Sequence, residues 1–285
     1  MANGQTVKIA GIQFAAKPDV ARNVRRALDM LDAAAERGAR MAILSELWAY
    51  PWFVARVDET ARAWAEPATG PLLGAMREKA AQRQLFVICP WYERDDETGR
   101  TYNSAALIDA QGEIAGVYRK MHVPSAPGWE ERHYFSPGDR GFGVFDTPAG
   151  KTAILLGWDV FFPEALREAV LAGAQLIAAP LAATAANDDL WRRAALAGAF
   201  ANGCWLLRVG RVGKENGMAF AGASFCAAPT GDLLDEPASD GEAVVFWDLD
   251  PRAPAVVRRD WPFLRDRRPD QYAALTVPTK TEDQT

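Results

Sequence analysis

Strand-length apolar runs alternate with helix-forming stretches along almost the whole chain. This alternation restricts the fold to layered α/β architectures more tightly than any other feature of the sequence. Val7–Gln13 reads as a strand, and residues 20–37 carry a helical pattern. The run Met41-Ala42-Ile43-Leu44 is short enough and apolar enough for a buried strand, ending at Ser45-Glu46. Helix is predicted over residues 59–84, then a strand over 85–89 closed by Pro90. Residues 105–108 and 114–118 flank Asp109-Ala110-Gln111-Gly112-Glu113, a hairpin signature.

The second half repeats the first. Residues 152–156 form a predicted strand, 164–172 a helix, 176–179 a strand, 190–202 a helix and 205–209 a strand. Hairpin-like strands continue through Phe225 and residues 243–247. The likeness of the halves predicts two mixed sheets packed together between outer helices. No linker interrupts the pattern, so residues 1–275 read as one domain, with 276–285 as a polar tail.

Composition narrows the partners. A chain of 285 residues with 49% hydrophobic residues can bury a substantial core. The net charge is −5 and the lysines and arginines are dispersed, which argues against nucleic acid or an anionic membrane as partner. No run approaches 18 uninterrupted apolar residues. The amino terminus lacks a basic segment followed by an apolar run, and Cys89, Cys204 and Cys226 are odd in number and widely spaced. Reduced thiols in a cytoplasmic protein are therefore expected. His122 and His133 complete no Cys/His metal spacing, so no metal site is expected.

Three charged residues stand where predicted strands meet loops. Glu46 follows a buried strand and precedes Leu47-Trp48-Ala49-Tyr50-Pro51-Trp52-Phe53. A carboxylate walled by aromatics should hold its proton more tightly and suit general-base work, although a surface turn carboxylate has about equal weight. Lys120 closes Val117-Tyr118-Arg119-Lys120 and could hold an oxyanion, but taken alone it reads more readily as a solvated lysine. Glu131, in Trp129-Glu130-Glu131-Arg132-His133, is in isolation an ordinary loop carboxylate. The rings of Trp48, Tyr50, Trp52 and Phe53 read equally as pocket wall and as core.

Several segments taken together say more. Val7-Lys8-Ile9-Ala10-Gly11-Ile12-Gln13-Phe14, Ser45-Glu46-Leu47, Tyr118-Arg119-Lys120-Met121-His122-Val123-Pro124, Tyr134-Phe135-Ser136-Pro137-Gly138-Asp139 and Gly157-Trp158-Asp159-Val160-Phe161-Phe162-Pro163-Glu164 stand in this order. In order and spacing they resemble the nitrilase superfamily of carbon–nitrogen hydrolases over nearly the whole chain. The likeness is greatest to its amidase and N-carbamoyl hydrolase branches, carbamoylputrescine amidase and β-ureidopropionase among them. The resemblance implies a four-layer α-β-β-α sandwich, self-association into a homo-oligomer by pairing of helices, and hydrolysis of a small amide or carbamoyl compound without cofactor. Carried over by position, Glu46 is the general base, Lys120 the oxyanion lysine and Glu131 a second, positioning carboxylate. The backbone N–H of Trp158 is the other oxyanion donor. Trp48, Tyr50, Trp52, Phe53, Trp129 and Phe161 are the implied substrate-binding residues.

The residue before such a Trp-Asp pair is the thiol nucleophile in that family, and here it is Gly157. No acyl-enzyme can form on glycine. Two further segments depart from the family's pattern. Residues 198–202 read Gly-Ala-Phe-Ala-Asn where relatives carry two charges, and Gly210-Arg211-Val212-Gly213 replaces an Asn-Arg-x-Gly segment. Three readings stay open. The first is a hydrolase lacking its nucleophile, the second a non-catalytic ligand-binding or scaffold relative with an interface on residues 165–172 and 190–201. In the third, Glu46 activates a water held where the thiol would be.

Overall fold

The computed structural model describes residues 6–277. The chain runs β1 (Val7–Gln13), α1 (Val20–Glu36), β2 (Met41–Leu44), α2 (Pro71–Arg83), β3 (Phe86–Arg94), β4 (Thr101–Ile108), β5 (Ile114–Arg119) and α3 (Glu131–Tyr134). It continues through β6 (Val144–Thr147), β7 (Gly150–Ile154), α4 (Pro163–Leu171), β8 (Leu176–Leu181), α5 (Asp188–Asn202), β9 (Trp205–Gly210), the hairpin β10 (Val212–Glu215) and β11 (Met218–Ala221), β12 (Phe225–Ala227), β13 (Ala243–Leu249) and α6 (Ala253–Asp260). One sheet has the order β13-β1-β2-β3-β4-β5, the other β12-β9-β8-β7-β6. In each, a parallel trio (β1-β2-β3, β7-β8-β9) is flanked by antiparallel strands.

The period of two along each strand builds the layers. Met41 and Ile43 point from β2 into the core shared by the two sheets, with Ile9, Ile88 and Leu107 from neighbouring strands and Ile154, Ile177 and Leu207 from the second sheet. Ala42 and Leu44 point the other way, onto Ala27, Leu31 and Met76 of α1 and α2. Helices α4 and α5 cover the far face of the second sheet with Ala165, Leu166, Ala195 and Ala199. The result is the four-layer α-β-β-α sandwich.

Four local expectations are corrected. The single helix expected over 59–84 is two elements, a 3₁₀ turn at Glu59–Trp64 and α2. Pro71 lacks the N–H a helix interior needs but suits the first helical position, so the chain is extended at Gly70 and restarts there. The strand expected to close at Pro90 runs on to Arg94; the pairing with β2 ends at Ile88, so at Pro90 itself only β4 is paired, a position where a strand tolerates proline. Residues 243–247 belong to no hairpin: β13 returns to the first sheet and pairs antiparallel with β1, Ile9 opposite Trp247. Strand β6, paired with β7, was not expected at all. The tail at 278–285 lies outside the described residues. Among the described residues no helix is long and apolar enough to cross a membrane.

The two sheets approach closely at Gly11. A Cβ there would lie 2.7 Å from the Trp247 ring and 3.2 Å from Val209 of the opposite sheet. Gly11→Val should therefore lower unfolding stability by about 1–3 kcal/mol, read as a lower denaturant midpoint with unchanged m-value.

Candidate active site

Parallel strands end where their carboxyl ends open a crevice, and both sheets deliver chemistry at such ends. Glu46 follows β2, and Gly157 follows β7 after Leu155 and Leu156. Lys120 comes directly after β5, and Glu131 is the first residue of α3. These four positions, up to 111 residues apart in sequence (46 to 157), converge on one buried cluster.

The cluster is an ionic triad. Lys120 Nζ lies 2.8 Å from Glu46 Oε1 and 2.9 and 2.7 Å from the two oxygens of Glu131. All three residues are 2% exposed or less, so neither the loop-carboxylate reading of Glu131 nor the solvated-lysine reading of Lys120 holds. Burial pushes the Glu131 carboxyl up from the usual 4.5 to about 7; the Lys120 charge opposes that rise and the Glu46 carboxylate adds to it. Burial pulls Lys120 down, but two carboxylates outweigh it and the ammonium is held more tightly than usual.

Gly157 adopts φ +44, the left-handed region that costs other residues about 1–2 kcal/mol. Its Cα faces Glu46: a Cβ built there would lie 2.5 Å from Oε2 and 2.8 Å from Oε1. The turn itself is pinned by Asp159, fully buried, which accepts from the Tyr118 hydroxyl (2.7 Å), the backbone N–H groups of His122 (2.9 Å) and Leu156 (3.0 Å), and pairs with His122 Nδ1 (2.8 Å). That grip fixes where the peptide N–H of half-buried Trp158 can point. The loop carrying Glu46 is gripped from the other side. Arg211, fully buried, donates to the carbonyls of Glu46, Leu47 and Tyr50 (3.4, 2.9 and 2.5 Å) and pairs with Glu215, which also accepts from Trp52 N–H (2.8 Å).

The six aromatic positions separate. Trp48, Tyr50, Trp52 and Phe53 are 5% exposed or less and pack into the core on the helix side of the first sheet. Phe53 sits edge-on to Tyr134 and stacked with Tyr92, at 4.9 and 5.3 Å. Trp129 and Phe161 reach solvent in part, the latter against Trp158 and Trp191. The cysteines stay apart from the triad: all are buried, and burial pushes each thiol up, Cys204 to about 12. Among the described residues no group of three or more His, Cys, Asp or Glu is placed to hold a metal ion.

Sequence reasoning overlooked Asn103. It lies fully buried on β4, donating to Glu46 Oε1 at 2.9 Å and to Glu131 Oε2 at 3.5 Å. The available signal was polar Asn103-Ser104 directly before the apolar run 105–108; the strand in fact begins at Thr101 and includes both. Arg211 was noted only as part of a motif, and its partner Glu215 was not singled out.

Comparison with known proteins gives a consistent result. The model of the carbon-nitrogen hydrolase family matches residues 8–258. The chain is 36% identical to an N-carbamoylputrescine amidase from Solanum lycopersicum over 285 aligned residues, covering 94% of each protein. It is 31% identical to a citrullinase from Francisella tularensis, covering 93% of this chain and 96% of that one. A carbon-nitrogen hydrolase from Helicobacter pylori G27 superposes with TM-score 0.90 at 30% identity, over 95% of this chain and 98% of that one. An amidase mutant from Nesterenkonia sp. AN1, solved with the acetamide moiety of fluoroacetamide attached at its active-site cysteine, superposes with TM-score 0.81 at 25% identity, over 94% and 96% of the chains.

The raised carboxyl of Glu131 has a measurable consequence. An acid whose folded-state pKa lies above its unfolded value binds more protons when folded, so its contribution to stability is complete below 4.5 and is lost as pH rises through about 7. Glu131→Gln keeps the neutral form at every pH. The stability of the native chain should fall relative to that variant between about pH 4.5 and 7, as read from paired urea titrations.

Proposed function

Because the chain belongs to the carbon–nitrogen hydrolase family of the nitrilase superfamily, we propose that it keeps the polar half of a site for a small amide or N-carbamoyl compound and lacks the thiol, with Gly157 at the nucleophile position. The observation that carries this reading is the direction of the missing side chain. A Cβ at Gly157 would point at the Glu46 carboxylate and overlap it, so a side chain there requires the end of Glu46 to shift, and a sulfur carried on it would then come within reach of that carboxylate as its base. Lys120, with its ammonium held by both carboxylates, is the charge that would stabilise an oxyanion, and the Trp158 N–H is the second donor.

With glycine in place, the Glu46 carboxylate fills the volume that a Cβ would take. A water held there would supply no covalent intermediate, so turnover by Glu46-activated water should be slow, and the chain should bind rather than turn over.

Self-association belongs to the same reading. Helices α4 and α5 border a groove of about 480 Å³ that includes Leu166, Ala194, Ala201 and Tyr272. Among the described residues, Glu164, Arg167, Glu168 and Arg267 beside it make no ion pair, although both signs are present. A two-fold axis would let the two signs pair reciprocally between copies. Arg167→Glu should then lower the sedimentation coefficient toward that of a monomer, and an unchanged coefficient would exclude this face.

The catalytic reading is tested by ammonia release from a panel of amides, nitriles and N-carbamoyl amines. The native chain should give background rates, and Gly157→Cys should exceed them by on the order of 10³-fold. Adding Glu46→Gln to that variant should remove on the order of 10²-fold. Equal turnover by the native chain and Gly157→Cys would refute the assignment of position 157.

A further inference from the structure

The buried triad holds two carboxylates and one ammonium, so one negative charge is left over at neutral pH unless Glu131 keeps its proton. Lys120 has three N–H donors, and they are directed at Glu46 Oε1 and at both oxygens of Glu131. The two further donors come from one group, the Asn103 amide, at 2.9 Å from Glu46 and 3.5 Å from Glu131. This orientation is the favourable one while both glutamates are ionised, because a flipped amide would turn its oxygen toward two carboxylates.

Asn103 also gives up something to sit this way. Its Oδ1 is buried without a partner, an arrangement that a residue kept only for packing would not need. Its own backbone carbonyl accepts from the Lys120 N–H at 2.8 Å, so the residue fixes the strand end from which the ammonium projects. From this geometry we infer that Asn103 is a positioning residue of the site, a bridge that holds the Glu46 and Glu131 carboxylates together and determines how the pair shares charge and proton.

The inference rests on reading the triad as retained hydrolase machinery, but it is tested without turnover. The groups facing Asn103 are Glu46 from the loop after β2, Lys120 from the end of β5 and Glu131 from α3, with Gly157 opposite Glu46. In protein labelled with ¹³C at the glutamate carboxyls, the Glu131 resonance is assigned by its loss in Glu131→Gln and followed with pH. Removing a donor from the charged form disfavours that form, so Asn103→Leu should raise the Glu131 midpoint by about one unit. In the native chain, the Asn103 side-chain N–H resonances should move with the same midpoint as Glu131. A midpoint unchanged in a folded Asn103→Leu, or native Asn103 protons indifferent to the Glu131 titration, overturns the inference. Should Asn103→Leu not fold, the native-chain measurement decides alone. Silence from Gly157→Cys in the ammonia assay would sink the functional reading and leave this measurement standing.

Discussion

The most demanding constraint on the architecture around the candidate site is three charges buried within one cluster. Each ion, taken from water on its own, would cost several kcal/mol, and the cost is offset only if the opposite charges meet and every remaining lone pair or proton finds a partner. Here the ammonium of Lys120 meets two carboxylates, and Asn103 supplies the donors that remain. The residual charge is relieved by the raised affinity of Glu131 for its proton. Because Lys120 is 1% exposed, no solvent can take over if any member is lost. The two sheets must therefore close on the cluster in one register, and the close contact at Gly11 shows how little slack they have.

Two clamps transmit that register to the chain segments carrying the chemistry. Asp159 gathers Tyr118 and His122 from the first half of the molecule onto the turn that follows β7, in the second. Arg211 and Glu215 do the converse, reaching from β10 and the residue before it to the loop that follows β2. Each half thus positions a residue that the other half carries. The doubled architecture is what makes such reciprocal support possible, since equivalent strand ends of the two sheets face one crevice.

Much of this was legible in the sequence because it is written in local patterns. The buried strand Met41–Leu44 declares itself by four consecutive apolar residues, and Glu46 by its position just beyond them. Family order then gathered Lys120, Glu131 and Gly157. What escaped was set by long-range pairing. The return of β13 to β1 joins residues more than 200 apart, and no local period distinguishes such a strand from half of a hairpin. Asn103 escaped for a related reason: the strand was expected only from Ala105, and nothing local shows that it starts at Thr101 and buries a polar residue between the sheets. The aromatic run from Trp48 to Phe53 was ambiguous because core and pocket wall demand the same side chains.

If position 157 is the nucleophile position, as proposed, the self-sufficiency of the triad bears on how such a residue can be lost while the rest is kept. Deleting one partner of a buried ion pair leaves an uncompensated charge and typically costs 3–5 kcal/mol, a large share of a domain's stability. Replacing a residue at position 157 by glycine carries no such penalty. Glycine suits the left-handed backbone there, and the Glu46 carboxylate, already held by Lys120 and Asn103, occupies the space released. Loss of Glu46, Lys120 or Glu131 singly is therefore costly to folding in a way that glycine at 157 is not. On the proposed reading, the presence of the triad does not distinguish a working hydrolase from a binding protein built on the same frame, and the residue at position 157 does.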